Sequence, residues 1–436
     1  MSTTHKSIGT PCKRCSKEPT VVFSRNDNFC HYCFVRFIRG KQRRQMMDDR
    51  FKVKFNPNII QTPVAFDFKL DDYSSIVLFD ILIDLLTEQS NMGPKARVGF
   101  LLTVCIVKDS PYGSEPLELI EKLETKYGKE LLNRLNIKFS IINPNNYSLN
   151  RQIESIHLNS NYNTVISSTE SDCTLSFKEL ISQTKDKSTR EDLENIIHSQ
   201  MIQRYLLSNN ITTLLDSSSM TSLSVKILST TIKGRGSEVA SVVSDGQLTY
   251  KGFAYDIIHP LREVLHSELR VYAEQEGIDL MLIEDARAIV KPEAKSAKNK
   301  TVDELVSEYF QTIEIEYPEV VSTVEKIGGK LDGLKCEKSE CPVCGKEVHD
   351  DAKQWLEQIT VKGHAPVIEE EDKANFQRWA NFNLENLSSD LEGSLIKLCY
   401  GCLVTLGAGE TTTLKWPKRM SKQDILDEYI LTDNEE

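Results

Sequence analysis

Apolar residues along the chain fall into short blocks that switch between two spacings. Pro63-Val-Ala-Phe-Asp-Phe68 packs apolar side chains into a short run and predicts a buried strand. Tyr73 to Glu88 carries apolar residues on most sides of a helical wheel and predicts a helix that is mostly buried. Val98 to Val107 is rich in β-branched and aromatic residues, a second strand. From Glu115 to Leu135 the spacing is helical, with Leu117, Ile120, Leu123 and Leu131 on one side. Ile137-Lys-Phe-Ser-Ile-Ile142 is a third strand, ended by Asn143-Pro144. Helical patterns cover Leu175–Gln183 and Arg190–Leu207. Ile211-Thr-Thr-Leu-Leu215 is a fourth strand, followed by a helix from Ser218 to Ile232. Strands alternating with helices imply an α/β fold: a parallel sheet with helices on both faces.

Between these blocks the chain turns polar. Asn143 to Thr169 is rich in Asn and Ser and reads as a surface insertion. Lys233 to Gln247 holds three glycines and reads as a loop. Lys291 to Lys300 is a Lys/Ala linker, and Lys362 to Asn386 a polar, acidic insertion. The expected division is an N-terminal arm (1–55), a sheet domain (56–290), and a helical segment with a C-terminal element and acidic tail (291–436).

Composition makes this a globular chain: 436 residues, 39% hydrophobic and 27% charged. No apolar run reaches the roughly 18 residues a membrane span needs. The longest candidate, Ile76 to Leu86, is broken by Asp80 and Asp84. Residues 1–30 hold no long apolar stretch, so a cytosolic, reducing compartment without membrane contact is expected. A net charge of −11 excludes whole-surface affinity for nucleic acid. The charge is uneven, however. Val35 to Lys54 holds eight basic residues against two acids. A charge run usually marks a solvated helix face, but this one is dense enough to be a footprint for a polyanion. Its candidate phosphate contacts are Arg36, Arg39, Lys41, Arg43, Arg44, Arg50 and Lys52.

Four Cys-x-x-Cys pairs bracket the chain and use eight of its eleven cysteines. Such a step turns two thiolates onto one tetrahedral ion, so two pairs complete a Cys₄ site. Cys12/Cys15 and Cys30/Cys33 are separated by fourteen residues, close to zinc-ribbon spacing. Cys341/Cys344 and Cys399/Cys402 are fifty-four residues apart, but Pro342 and Gly345 suit a metal knuckle. Disulfides need an oxidising compartment. Thioredoxin-like chemistry needs one pair beside a βαβ unit. Structural zinc in both sets is the better reading. Cys105 lies in an apolar run as a core thiol, and Cys336 reads as a free thiol, with the role of a spare ligand left open.

Ligands of open parallel sheets bind beyond the C-terminal strand ends, near the switch point. Lys69-Leu-Asp-Asp-Tyr-Ser-Ser75 follows the first strand there. Ser74 and Ser75 open the next helix, where free N–H groups can hold an anion. The turn has no glycine to let backbone wrap a phosphate, and Asp71 and Asp72 repel one. Helix capping by Asp72 or Ser74 is the plainer reading. Asp216, after the fourth strand, suits a metal–nucleotide complex but reads more plainly as a helix cap. The eight histidines are scattered, and no catalytic residue is assigned.

The arm Cys12-Lys-Arg-Cys15, Phe29-Cys-His-Tyr-Cys33 and Phe37-Ile-Arg-Gly-Lys-Gln-Arg-Arg44 resembles the cytoplasmic tRNA 2-thiolation protein 2 family. The order continues with an alternating sheet, His259-Pro-Leu-Arg262 and the C-terminal cysteine pairs. The resemblance implies a degenerate PP-loop ATP pyrophosphatase fold (adenine nucleotide alpha hydrolase-like). It implies a cytosolic heterodimer in which this chain partners a catalytic tRNA thiolase. The pair would move sulfur from a thiocarboxylated ubiquitin-related modifier to the wobble uridine of tRNA. Active PP-loop enzymes carry Ser-Gly-Gly-x-Asp-Ser after the first strand, where this chain reads Leu70-Asp-Asp-Tyr-Ser-Ser75. Active members also carry a Gly-His-x-x-Asp-Asp-like element where this chain has Asp216-Ser-Ser-Ser-Met-Thr221. Both departures argue against ATP use by this subunit. Two alternatives stay open: an ATP-dependent tRNA sulfurtransferase in its own right, and a zinc-ribbon scaffold that binds proteins only.

Overall fold

The computed structural model describes residues 10–25, 27–56, 58–70, 72–108, 116–149, 151–159, 162–168, 175–184, 186–278, 300–331, 340–349, 352–359, 370, 372–378, 394–407 and 412–419. Asp71, Cys173, Cys336, the Lys/Ala linker short of Lys300, most of the 362–386 insertion and the acidic tail lie outside them. The chain forms two compact units. The first comprises Met1–Pro144, His198–Ile232 and Gly236–Gly333, and the second Asn145–Ile197, Lys233–Arg235 and Leu334–Glu436.

The chain opens with a small hairpin, β1 (Val22–Ser24) and β2 (Asp27–Phe29), followed by α1 (His31–Gln45). The alternating part begins with β3 (Thr62–Asp67), α2 (Tyr73–Ser90) and β4 (Phe100–Val107). Next come α3 (Pro116–Tyr127), α4 (Lys129–Arg134) and β5 (Lys138–Ile142). The helix expected over 115–135 is broken at Gly128, whose φ of 84° few other residues adopt. Then follow β6 (Ile153–Leu158), β7 (Thr164–Ser168), α5 (Phe177–Ser182) and α6 (Lys187–Ser208). After them come β8 (Thr213–Asp216), α7 (Met220–Ile232), α8 (Val239–Val243), β9 (Gly246–Tyr250) and β10 (Phe253–Ile258). The first unit ends with α9 (His266–Gln275), α10 (Val302–Glu316) and α11 (Pro318–Gly328). The second closes with α12 (Ala352–Ile359), β11 (Ser394–Leu395), α13 (Tyr400–Leu406) and β12 (Thr412–Pro417).

The main sheet runs β5-β4-β3-β8-β10-β9. All neighbours are parallel except the β9–β10 edge hairpin. The α/β class is the one expected, and the antiparallel edge is an addition to it. Asn143 to Thr169, expected as an insertion, instead contains the β6–β7 hairpin. It pairs with β12 and β11 in a four-stranded antiparallel sheet. Lys233 to Gln247, expected as a loop, contains α8 and the start of β9.

The core of the first unit is aromatic. Phe66 and Phe68 stack edge-on, Phe68 meets Phe79, and Phe51 meets Phe100 at 90°. Twelve of the eighteen residues of α2 are buried, which explains its nearly all-round apolar pattern. Asp80 is buried among them because Tyr127 and Tyr272 each donate a hydroxyl to it at 2.8 Å. In this sheet β3 and β8 are neighbours, and their last residues, Asp67 and Asp216, stand side by side at the C-terminal edge. That is the topological switch point. Among the described residues no helix is long and apolar enough to cross a membrane.

Candidate metal centres and nucleic-acid interface

The two cysteine sets are built alike. In each, the first pair lies in a turn closed by a residue of positive φ directly after its second cysteine: Ser16 at 54° and Gly345 at 74°. Ser16 N–H donates to the Cys12 carbonyl and Gly345 N–H to the Cys341 carbonyl, both at 2.8 Å. The second pair starts a helix in each case: Cys30 stands at the N-cap position of α1, and Cys399 at that of α13, where its sulfur accepts from the Cys402 amide. Each set's four sulfurs lie within 4.8 Å of one another. The Cys15–Cys30 sulfurs are 3.8 Å apart and the Cys344–Cys399 sulfurs 3.4 Å. A tetrahedral zinc with Zn–S bonds of about 2.3 Å puts its sulfurs about 3.8 Å apart, so the residues fit the ion. Burial opposes ionisation of Cys12, but amides of Cys15, Cys30 and Arg14 outweigh it and hold that thiol down at about 6. Cys33, disfavoured by burial and by its neighbours' sulfurs, is pushed up to about 12. Cys105 is a buried core thiol, as expected, and burial raises its pKa.

The switch-point crevice holds its own ions. Lys69 Nζ lies 3.2 Å from Asp216 Oδ2, and Lys226 Nζ reaches the same oxygen at 3.5 Å and Ser218 Oγ at 2.8 Å. Asp67 meets His198 Nε2 at 2.9 Å. Two carboxylates and two ammonium groups therefore compensate one another where a nucleotide's phosphates would lie. Burial opposes the charge on Asp216, but Lys226, Lys69 and His259, with the Ser218 hydroxyl, outweigh it and hold the carboxyl well below its ordinary range. Ser75 Oγ accepts from the Lys69 amide at 3.0 Å and contacts Ser217 Oγ at 2.9 Å, tying β3's exit to β8's. Ser74 Oγ is buried without a hydrogen bond among the described residues. Asp72 caps α2 as expected, accepting the Ser74 amide. Asp216, expected as a helix cap, accepts the Ser218 amide in a turn that ends before α7 begins at Met220, and Ser219 accepts the Ser222 amide at that helix start instead.

Helical periodicity splits the basic segment. Tyr32, Arg36, Gly40, Arg43 and Arg44 face solvent, while Phe34, Val35, Ile38, Lys41 and Gln42 are buried. Lys41, expected as a phosphate contact, is an interior residue. Its ammonium donates to the Glu263 carbonyl at 2.9 Å, lies 3.4 Å from Glu268, and sits 4.1 Å over the Phe37 ring. Burial pulls its pKa down to about 8. Arg39 is turned inward too, half-buried, donating to Tyr272 Oη at 3.1 Å and paired with Asp84. Arg50 is half-buried against Asp256 at 2.7 Å. Arg43–Glu88, Arg44–Glu263 and Lys52–Asp49 are exposed pairs that solvent makes weak and exchangeable. Arg36 is exposed and forms no ion pair among the described residues. Arg36, Arg43, Arg44 and Lys52 are thus the members that a polyanion can reach.

The family profile for cytoplasmic tRNA 2-thiolation protein 2 matches residues 301–404. The protein of that name from Debaryomyces hansenii is 35% identical over 99% of this chain and 97% of its own length. Its namesake from Scheffersomyces stipitis is 34% identical over 98% and 97%. The chain belongs to the cytoplasmic tRNA 2-thiolation protein 2 family. A solved structure of U34-tRNA thiolase NcsA from Methanococcus maripaludis with its [4Fe-4S] cluster aligns at TM-score 0.48 and 15% identity, over 81% of this chain and 97% of that one.

The sequence reading missed Lys69, Lys226 and His198 as partners of the two strand-end carboxylates. One signal was available. Lys69 comes two residues after β3, and Lys226 lies on the helix that follows β8, so both had to lie near the carboxylates at those strands' ends.

Proposed function

We propose that this chain is the tRNA-binding, non-catalytic subunit of a cytosolic heterodimer that thiolates the wobble uridine of tRNA. The partner is a catalytic thiolase, and the sulfur comes from a thiocarboxylated ubiquitin-related modifier. The observation that carries the reading is the match to the family over nearly the whole chain. The crevice agrees with it. An active nucleotide site needs inward backbone amides and a net attraction for phosphate. Here the amide of Lys69 is taken by Ser75, and the crevice lysines by Asp216. In this reading the arm (1–55) meets tRNA, the sheet domain (56–290) meets the partner, and the C-terminal part (291–436) is held by its zinc. The test is tRNA thiolation by this chain alone, by the partner alone and by both, each with ATP and sulfur donor. Product is expected at full rate only from the pair. Product from this chain alone would establish it as an enzyme in its own right.

The exposed stripe of α1 supplies the tRNA contact: Arg36, Arg43 and Arg44, with Tyr32 on the same face as a stacking surface. Each phosphate contact contributes roughly 0.9 to the salt slope on duplex RNA, taking the B-DNA value. Replacing Arg36, Arg43, Arg44 and Lys52 with alanine is expected to flatten the slope of tRNA binding by about 2–4. Lys41→Met is expected to leave the slope unchanged, because that ammonium is interior. Equal slopes for wild type and the quadruple variant would favour the protein-only scaffold.

A further inference from the structure

The C-terminal sulfurs are enclosed more deeply than the N-terminal ones. Cys341, Cys344, Cys399 and Cys402 are all buried, whereas Cys15 and Cys33 are only partly so. Four thiolates on a divalent ion carry two net negative charges, and a buried charge needs compensation. A buried cation stands against this set. Arg235 Nη2 donates toward Cys402 Sγ at 3.7 Å and to Thr405 Oγ1 at 3.2 Å. Thr405 Oγ1 in turn donates to Asp192 Oδ2 at 3.1 Å, and Arg235 Nε lies 3.8 Å from that carboxylate. The guanidinium is therefore fixed between a carboxylate and a sulfur. Lys233 Nζ holds the other oxygen of Asp192 at 2.8 Å. The backbone leaves room for this placement. A Cβ on Gly401, between the two cysteines of the second pair, would lie 2.4 Å from Arg235 Cγ. In the N-terminal knuckle the basic residue next to Cys15, Arg14, lies over the rings of Phe29 and Phe37.

We propose that Arg235 completes the C-terminal metal centre as a positioning residue. Its guanidinium offsets part of the charge on the four thiolates and holds Cys402 by a charge-assisted hydrogen bond, so that the zinc resists removal by competing ligands. The inference rests on reading the four cysteines as a zinc centre. Outer partners of metal ligands typically account for about 10–100-fold in metal affinity.

The experiment uses the zinc-loaded full chain. Protein is titrated with EDTA, exposed thiols are alkylated with N-ethylmaleimide, and mass spectrometry follows each cysteine separately. For Arg235→Met, the EDTA concentration that exposes Cys341, Cys344, Cys399 and Cys402 is expected to fall about 10–100-fold. Cys12, Cys15, Cys30 and Cys33 in the same molecules should keep the wild-type midpoint. Arg235→Lys keeps the charge without the planar fork and is expected to shift the same four cysteines by less. Lys233→Met removes a neighbouring cation from Asp192 and is expected to shift nothing. The proposal is overturned by an unchanged C-terminal midpoint in Arg235→Met, or by an equal shift in Lys233→Met. If Arg235→Met does not fold, Arg235→Lys decides: a shift confined to the C-terminal set supports the role, and no shift overturns it. C-terminal cysteines alkylated in wild type without EDTA would overturn the zinc reading itself, and the role of Arg235 with it.

Discussion

Cys399→Ser is expected to lower the zinc content from two ions per chain to one and to unfold the second unit. The four sulfurs join a knuckle at Cys341–Gly345 to the first turn of α13, and fifty-four residues separate the two pairs. The knuckle's own backbone bonds include the Cys341 amide to the Lys346 carbonyl at 2.8 Å and the turn closed by Gly345. Structural zinc contributes about 10–16 kcal/mol to small metal-dependent folds. A whole domain is stable by only about 5–15 kcal/mol. Loss of the ion is therefore comparable with the whole stability of an ordinary domain. Elemental analysis gives the stoichiometry. Calorimetry follows the folding, with one transition of the wild type expected to vanish and that of the first unit to remain. Trp416, buried against Tyr147 at 5.7 Å between ring centres, lies in the second unit, so red-shifted emission is expected as well. A variant that keeps two zinc ions and both transitions would show that these cysteines are not a structural metal site.

The cysteine sets were legible because their information is local. Spacing within each pair, together with Pro342 and Gly345, is enough to predict a knuckle. The parallel strands were legible for a related reason, since β3, β4 and β8 are buried on both faces and read as apolar runs. What escaped depends on partners distant in sequence. Ile153 to Leu158 looked like part of a polar insertion because its ladder is completed by β12, more than two hundred residues later. The basic run looked like a single surface because the acids that draw Arg39, Lys41 and Arg50 inward come from elsewhere: Asp84 from α2, Glu268 from α9 and Asp256 from β10. Glu268 is buried beneath Arg25 and Lys41 and is stabilised by both. Arg235 lies between two glycines in a short charged stretch, and nothing near it in sequence points to sulfur.

The crevice ions lead to the second large effect. Asp216→Ala is expected to destabilise the first unit by about 3 kcal/mol, because it leaves Lys69 and Lys226 facing each other without their shared counter-ion. Removing one partner of a buried pair costs about 3–5 kcal/mol. The lower end applies because both lysine side chains remain 31% exposed and water relieves part of their repulsion. Replacing the whole cluster (Asp216→Leu with Lys69→Met and Lys226→Met) should recover most of the loss, since apolar residues of similar volume often match a buried ion pair. The pH dependence has a definite sign. Asp216 and Asp67 are both held below the ordinary carboxylate value despite burial, Asp216 by Lys226 and Lys69 and Asp67 by His198. A carboxyl with a depressed folded-state pKa contributes stability above its unfolded pKa of about 3.9, and that contribution is lost as pH falls through the folded value. Urea midpoints of wild type should therefore fall steeply below about pH 4, and those of the triple variant less so. Equal acid slopes, or an Asp216→Ala variant as stable as wild type, would mean that the lysines are solvated and the crevice is open. The self-neutralised crevice would then no longer support the proposal that this subunit does not use the nucleotide.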